Sequence, residues 1–139
     1  MDYRTVPFKR WHMAWLAEGG APIPLDVDAL MMLEGQNSWT IVVDGAPMAC
    51  GGTMQQWPGR HTGWAYLNPN TGRHMAAVTR RAKALLDEVK GRIEITVRCD
   101  FEPGHRWARM LGFEVETPEM KGYGPEGESH TGYVRFNKG

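Results

Sequence analysis

Neither sign of charge predominates in this chain of 139 residues: Lys plus Arg and Asp plus Glu each number 16, so the formal net charge is zero. That balance excludes a chain-wide electrostatic footprint for nucleic acid or for an anionic membrane. No apolar run approaches the length of a bilayer span, and the opening stretch MDYRTVPFKRWHM lacks the apolar core of a signal peptide. Cysteine is scarce, with Cys50 and Cys99 far apart and both in expected strands. Two buried thiols in a reducing compartment fit that spacing better than a disulfide. These absences together predict a soluble, cytoplasmic chain that works without membrane or nucleic acid. What is present is ordinary for one globular domain over 1–139: apolar residues make up 42% and charged residues 23%. Trp (6) and Met (9) are generous for the length and suit an irregular core or an adaptable contact surface.

Taken in order, Tyr3 to Val6 is a strand ended by Pro7, and Trp11 to Ala17 is helical through Trp11, Ala14 and Trp15. Gly19-Gly20 stops that helix. Asp26 or Asp28 is positioned to cap a second helix through Ala29, Leu30 and Leu33, closed by Gly35. A hairpin follows: Trp39 to Val43 is β-branched and aromatic, Asp44-Gly45 is a two-residue turn, and Pro47 to Met54 returns. Gly51-Gly52 within the returning strand marks a bulge or a close backbone approach. After the Trp57-Pro58-Gly59 turn, an aromatic strand from Gly63 to Leu67 runs into a turn with Pro69, Asn70 and Gly72. Val78, Ala82, Leu85, Leu86 and Val89 then share one face of a 3.6-residue helix. Arg92 to Cys99 alternates, with Ile93, Ile95 and Val97 on one side. Glu102-Pro103 opens a short helix holding Trp107, Ala108 and Leu111 and ending at Gly112, with Asp100 and Glu102 as capping residues. Phe113 to Thr117 is a strand, Lys121 to Ser129 a loop, and Tyr133 to Phe136 a last strand.

Strand, tight turn and helix around Leu67 to Ala77 leave a helix N-terminus whose backbone N–H groups favour an anion such as a phosphate; the plainer alternative is a connection that binds nothing. Near the end of the Arg92–Cys99 strand stand Asp100, Glu102 and His105, with helix capping the alternative role for both acids and a surface position that for His105. Cys99 is a nucleophile only if a base partners it. His61, His74 and His130 show no metal-ligand spacing, and no metal is expected.

The element order is β–α–α–β–β–β–α–β–α–β–β, an α+β class with a mixed sheet. In that order the chain resembles the GCN5-related N-acetyltransferases (GNAT). Three segments carry the resemblance. Trp39 to Gly52 looks like the family's apolar strand, DG turn and Gly-containing strand. Leu67-Asn68-Pro69 is similar to the V-x-P that ends its fourth strand. Glu102 to Glu114 resembles its N-E-P-A-I-R-L-Y-E-K-L-G-F-E segment, matching at Glu102, Pro103, Arg106, Leu111, Gly112, Phe113 and Glu114.

The resemblance implies an acyl-CoA-dependent N-acyltransferase fold, with acetyl-CoA as co-substrate and a small amine or a protein amine as acceptor. It implies that the fourth and fifth strands splay at their ends so that strand amides meet the pantetheine arm. It assigns the coenzyme to Leu67, Asn70, Thr71, Gly72, Arg73, His74, Met75, Ala76, Ala77 and Arg80, with Arg81 also within reach of its phosphates. Oxyanion donors would be main-chain N–H groups around Tyr66 and Leu67. Glu102 and His105 would be catalytic by position, and Tyr66 by a different geometry. Two departures stand against this. The family's Q/R-x-x-G-x-G/A turn falls on Gly72, Met75 and Ala77, or, slipped by one, on Arg73, Ala76 and Val78. The Tyr that protonates the departing thiolate falls on Ala108, and Phe101 replaces the usual Asn. A narrower likeness, to small GNAT-like proteins of tailed phages such as the internal virion protein of T7-type phages, implies an alternative: a GNAT-fold protein without turnover, virion-associated or bound to a host factor, or joined in a homodimer.

Overall fold

The computed structural model describes residues 2–18, 33–34 and 37–138. The helix expected through Ala29 and Leu30, with its caps at Asp26 or Asp28, lies outside the described residues. The elements are β1 (Tyr3–Pro7), α1 (Trp11–Glu18), β2 (Asn37–Val43), β3 (Ala46–Trp57), β4 (Arg60–Leu67), a 3-10 stretch (Pro69–His74), α2 (Met75–Asp87), β5 (Gly91–Arg98), α3 (Glu102–Met110), β6 (Glu114–Met120) and β7 (His130–Asn137). Hydrogen bonding orders the seven strands β1-β2-β3-β4-β5-β7-β6. The pairs β1–β2, β2–β3, β5–β7 and β6–β7 are antiparallel, and β4–β5 is parallel, so the mixed α+β class holds. Two compact units divide the chain, Met1–Met54 with Gly63–Ala82, and Gln55–Thr62 with Lys83–Gly139.

In the first unit the Asp44-Gly45 turn has positive φ at both positions (49° and 85°), the mirror-image turn whose twist matches a two-strand ribbon. β2 buries Trp39, Thr40, Ile41 and Val43, so the strand is packed on both faces and reads as a continuous apolar run. The register slips between Ile41 and Val42, not at the glycines. Gly51 and Gly52 mark a close approach. A Cβ on Gly52 would lie 2.4 Å from the Asn37 carbonyl oxygen, and one on Gly51 would lie 2.8 Å from the Trp39 ring. α1 forms as expected. Its buried side chains are His12, Met13 and Leu16, while Trp11 and Trp15 stand exposed. Leu16 and Met13 join Phe8 and Cys50 in the core, with Leu33, Trp64 and Tyr66 against them.

In the second unit, Gly91 at φ 97° starts β5 where a Cβ would meet the Gly59 carbonyl oxygen at 2.5 Å. The Arg92 N–H donates to that same oxygen (2.8 Å), and the β4–β5 register begins there, running Arg60↔Arg92 to Thr62↔Glu94. β5 buries Ile93 fully. α3 carries Pro at its start, and its cap residue is Phe101, with no side-chain capping bond. The capping role expected of Asp100 and Glu102 is therefore absent. Asp100 is in an ion pair with Arg98 and Glu102 with Arg109. His105 and Ala108 are the buried side of α3, packed in a unit whose interior also holds Leu111, Phe113 and Tyr133.

Candidate functional site

β4 does not pass into α2 through a tight turn. A 3-10 stretch intervenes, broken by a kink at Gly72 (φ 11°, ψ −95°). The stretch is pinned from inside the first unit. The Asn68 N–H donates to the Met48 carbonyl (2.8 Å), and the Thr71 N–H to the Asn68 carbonyl (3.0 Å). The buried Thr71 hydroxyl donates to the Asn68 carbonyl and, at 3.4 Å, to that of Met48. Three residues on, buried His74 meets the Tyr3 hydroxyl of β1 through Nδ1 at 3.0 Å. Arg81 reaches the same strand, donating to the Tyr3 carbonyl at 2.9 Å and the Thr5 hydroxyl at 3.3 Å.

These bonds sort the residues that the sequence offered for phosphate. Thr71, His74 and Arg81 spend their side chains holding the turn and α2 to their own unit. Gly72, Arg73, Ala76 and Arg80 are exposed, and Leu67, Met75 and Ala77 are half-buried. Asn70 lies within the 3-10 stretch. A Cβ on Gly72 would meet nothing within 4 Å, so the kink faces open space. The slipped register, with Arg73 and Ala76, thus has both of its first two positions outward, whereas Met75 of the unslipped one is half-covered. The Arg73 Nε–H donates to His74 Nε2 at 3.5 Å, a long bond that leaves the rest of the guanidinium uncommitted to it.

Tyr66 belongs to the first unit and packs against the Phe8–Met13–Leu16–Cys50 cluster. Burial pushes its phenol above the ordinary range, which makes it a weaker acid than a solvated tyrosine. Glu102 and His105 belong to the second unit. Glu102 is on the exposed side of α3, its carboxylate 3.6 Å from Arg109. His105, expected on the surface, is buried. Its Nδ1 is 2.6 Å from the Tyr133 hydroxyl and its Nε2 is 2.9 Å from the Arg98 carbonyl and 3.1 Å from that of Cys99. Carbonyls only accept, so Nε2 carries a proton and both ring nitrogens are occupied. The imidazole joins α3 to the end of β5 and to β7, a task that sequence spacing gave no hint of. Ala108, where the family's Tyr falls, is buried and carries no hydroxyl.

Cys50 is buried and free, its thiol pushed up to about 11 by burial. Cys99 is exposed, one residue beyond β5, with Thr131 Oγ1 at 3.5 Å. The expectation of two buried strand thiols therefore holds for Cys50 only: Cys99 lies one residue beyond β5 and is exposed. Among the described residues no group of three His, Cys, Asp or Glu could hold a metal ion, and no helix is long and apolar enough to cross a membrane. His130 stands two residues after Glu128. Its Nε2 stands 3.4 Å from the Glu128 carboxylate.

No protein-family model matches the chain, and no curated protein matches it in sequence. Solved structures do match. The ribosomal-protein-S18-alanine N-acetyltransferase from Escherichia coli superposes with a TM-score of 0.75 at 16% identity, over 99% of this chain and 96% of that one. A GNAT-family acetyltransferase from Bacillus anthracis gives 0.69 at 15% identity, over 98% and 95%. The structure of yncA from Salmonella typhimurium with its cofactor acetyl-CoA gives 0.71 at 13% identity, over 100% and 96%. None of the three is a phage protein, so they lend the narrower phage likeness no support. At such identities the likeness concerns architecture rather than chemistry, and the architecture is that of the GNAT acetyltransferases.

Proposed function

We infer that the chain is an acyl-CoA-dependent N-acyltransferase, taking acetyl-CoA as co-substrate and a small amine or a protein amine as acceptor. The observation that carries this reading is the kinked turn at the start of α2. Thr71 and His74 are consumed inward, while Gly72, Arg73, Ala76 and Arg80 face outward at a helix N-terminus. Backbone N–H groups there, the positive end of the helix dipole and two exposed guanidinium groups suit a pyrophosphate. The fold likeness to a structure solved with acetyl-CoA supports the same choice of ligand.

The transfer needs the acceptor amine deprotonated, the thioester oxygen stabilised as charge develops on it, and the thiolate protonated as it leaves. Main-chain N–H groups near Tyr66 and Leu67 serve the second need in this reading. Solvent, or the shed amine proton, serves the third, since Ala108 has nothing to give. Titration calorimetry with acetyl-CoA tests the reading. Micromolar binding is expected. Arg73→Glu is expected to weaken it about tenfold, for one charge-assisted contact reversed, and more than Lys90→Glu does. Absence of heat at millimolar ligand would sink the reading, and equal effects of the two variants would sink the assignment of the phosphates.

A second reading rests on buried Ala108 and on the exposed aromatic side chains Trp11, Trp15, Trp57 and Phe136. It is a GNAT-fold protein without turnover that binds a partner, a host factor or a virion component. Acetyl-CoA binding without thiol release in any assay would favour it.

A further inference from the structure

We propose that His74 is a positioning residue: its ring, anchored on β1 by Tyr3, orients the Arg73 guanidinium for the pyrophosphate of the coenzyme. The proposal rests on the transferase reading above and adds to it how the turn before α2 aims its charge. All its parts belong to the first unit.

A long arginine side chain in water samples many rotamers, and ordering it on a ligand costs affinity. Arg73 is exposed, yet its Nε–H donates to His74 Nε2 at 3.5 Å. Side chains of adjacent residues point apart on a regular helix, and this contact occurs just after the break at Gly72. A guanidinium only donates, so Nε2 carries the lone pair and the ring proton sits on Nδ1. Nδ1–H then donates to the Tyr3 hydroxyl oxygen, 3.0 Å away. The relay runs from Arg73 through His74 to Tyr3, and each nitrogen of the buried ring has one fixed task in it.

β1 supplies a firm anchor. It is in register with β2 from Tyr3↔Val43 to Pro7↔Trp39. Just before it, the Asp44 N–H donates to the Asp2 carbonyl at 2.8 Å, and the Asp2 N–H donates to the Asp44 carboxylate at 2.9 Å. Tyr3 then holds the turn and the helix after it at two points. Its ring meets that of His74 edge to face, with centroids 5.8 Å apart, and its carbonyl accepts from the Arg81 guanidinium at 2.9 Å.

Arg73 uses only its Nε–H in this contact. The terminal nitrogens keep their donors for a phosphate, which a guanidinium meets through paired N–H groups. A ring that served only to tie β1 to the turn would need Nδ1 alone. The lone pair of Nε2, set against the arginine, is the part that such a tie leaves unexplained. An Nε2–H ring would point a donor at a donor and release the guanidinium.

The test is a double-mutant cycle read by calorimetry with acetyl-CoA. Tyr3→Phe, which keeps the ring and removes the hydroxyl, and His74→Leu are each expected to raise the Kd about fivefold, the scale of ordering one long side chain on binding. His74→Gln, whose amide oxygen can still accept from Arg73, should recover most of that loss. In an Arg73→Met background the same substitutions should change the Kd less than about twofold, because the group they act through is gone. Independently of any ligand, nitrogen NMR of the wild-type imidazoles should find His74 protonated at Nδ1 and bare at Nε2. Losses of equal size with and without Arg73, an Nε2–H tautomer, or a folded His74→Leu variant with the wild-type Kd would each overturn the proposal while leaving acetyl-CoA binding intact. Should His74→Leu fail to fold, Tyr3→Phe and its cycle with Arg73→Met decide the matter. Failure of the wild type to bind acetyl-CoA would instead remove the transferase reading itself, and this proposal with it.

Discussion

In the first unit the interior is crossed by neutral groups hydrogen-bonded in series. The Cys50 thiol lies 3.4 Å from the Thr40 hydroxyl, that hydroxyl 2.7 Å from His12 Nδ1, and the Lys9 N–H donates to the same nitrogen at 3.1 Å. In the second unit the sheet carries charge instead. Arg60 and Arg92 both grip Glu94, at 2.9 and 2.6 Å, and Arg92 goes on to Glu116, all four side chains partly in water. The difference teaches where each unit is sensitive. A buried neutral chain has no water to fall back on, so a lost partner costs the full desolvation of what remains. A half-exposed ladder exchanges protein contacts for solvent and loses little.

The largest expected effect is on the buried chain. His12→Leu should destabilise the protein by about 2 kcal/mol in urea titration, because the Thr40 hydroxyl loses its acceptor in a fully buried place. Adding Thr40→Val should recover part of that loss. A double variant less stable than the single one would break the account. Next comes acid. Burial, the largest cause, holds the His12 imidazole below its ordinary value, with Glu34 opposing and Lys9 assisting. A depressed folded pKa means the stabilisation is complete above about pH 6.5 and lost as pH falls through the folded value. Stability should therefore decline on mild acidification in wild type, with that part of the slope missing in His12→Leu. A slope unchanged by the substitution would assign it to other groups. The smallest effect belongs to the ladder. Glu94→Gln should cost no more than about 1 kcal/mol and less in high salt. The hydrogen bond from Arg60, with further help from Arg92, holds the Glu94 carboxyl at about 2, so its contribution is complete above the ordinary carboxylate value of about 4.3 and is lost as pH falls from there through the folded value. A Glu94→Gln loss as large as that of His12→Leu would erase the contrast between the units.

Much of the fold was legible because local signals agreed with one another. The Asp44-Gly45 turn, the alternation through Ile93, Ile95 and Val97, and the 3.6-residue spacing of Val78, Ala82 and Leu86 each report a period that neighbouring residues suffice to set. The candidate site was less legible. Thr71 and His74 look like phosphate ligands in a row of polar residues until β1 and β3 arrive to claim them. His105 reads as a surface residue because Tyr133, the side chain that meets its ring, is 28 residues away.

By itself the sequence determined the succession of strands and helices, the hairpin, and the likeness to a fold. Those follow from backbone geometry and from side-chain periods only a few residues long. The tertiary structure alone decided which polar side chains are consumed and which face outward, and hence that Arg73 stands open while His74 does not. A hydrogen bond is settled by distances of about 3 Å, and those are fixed by strands that meet from far along the chain.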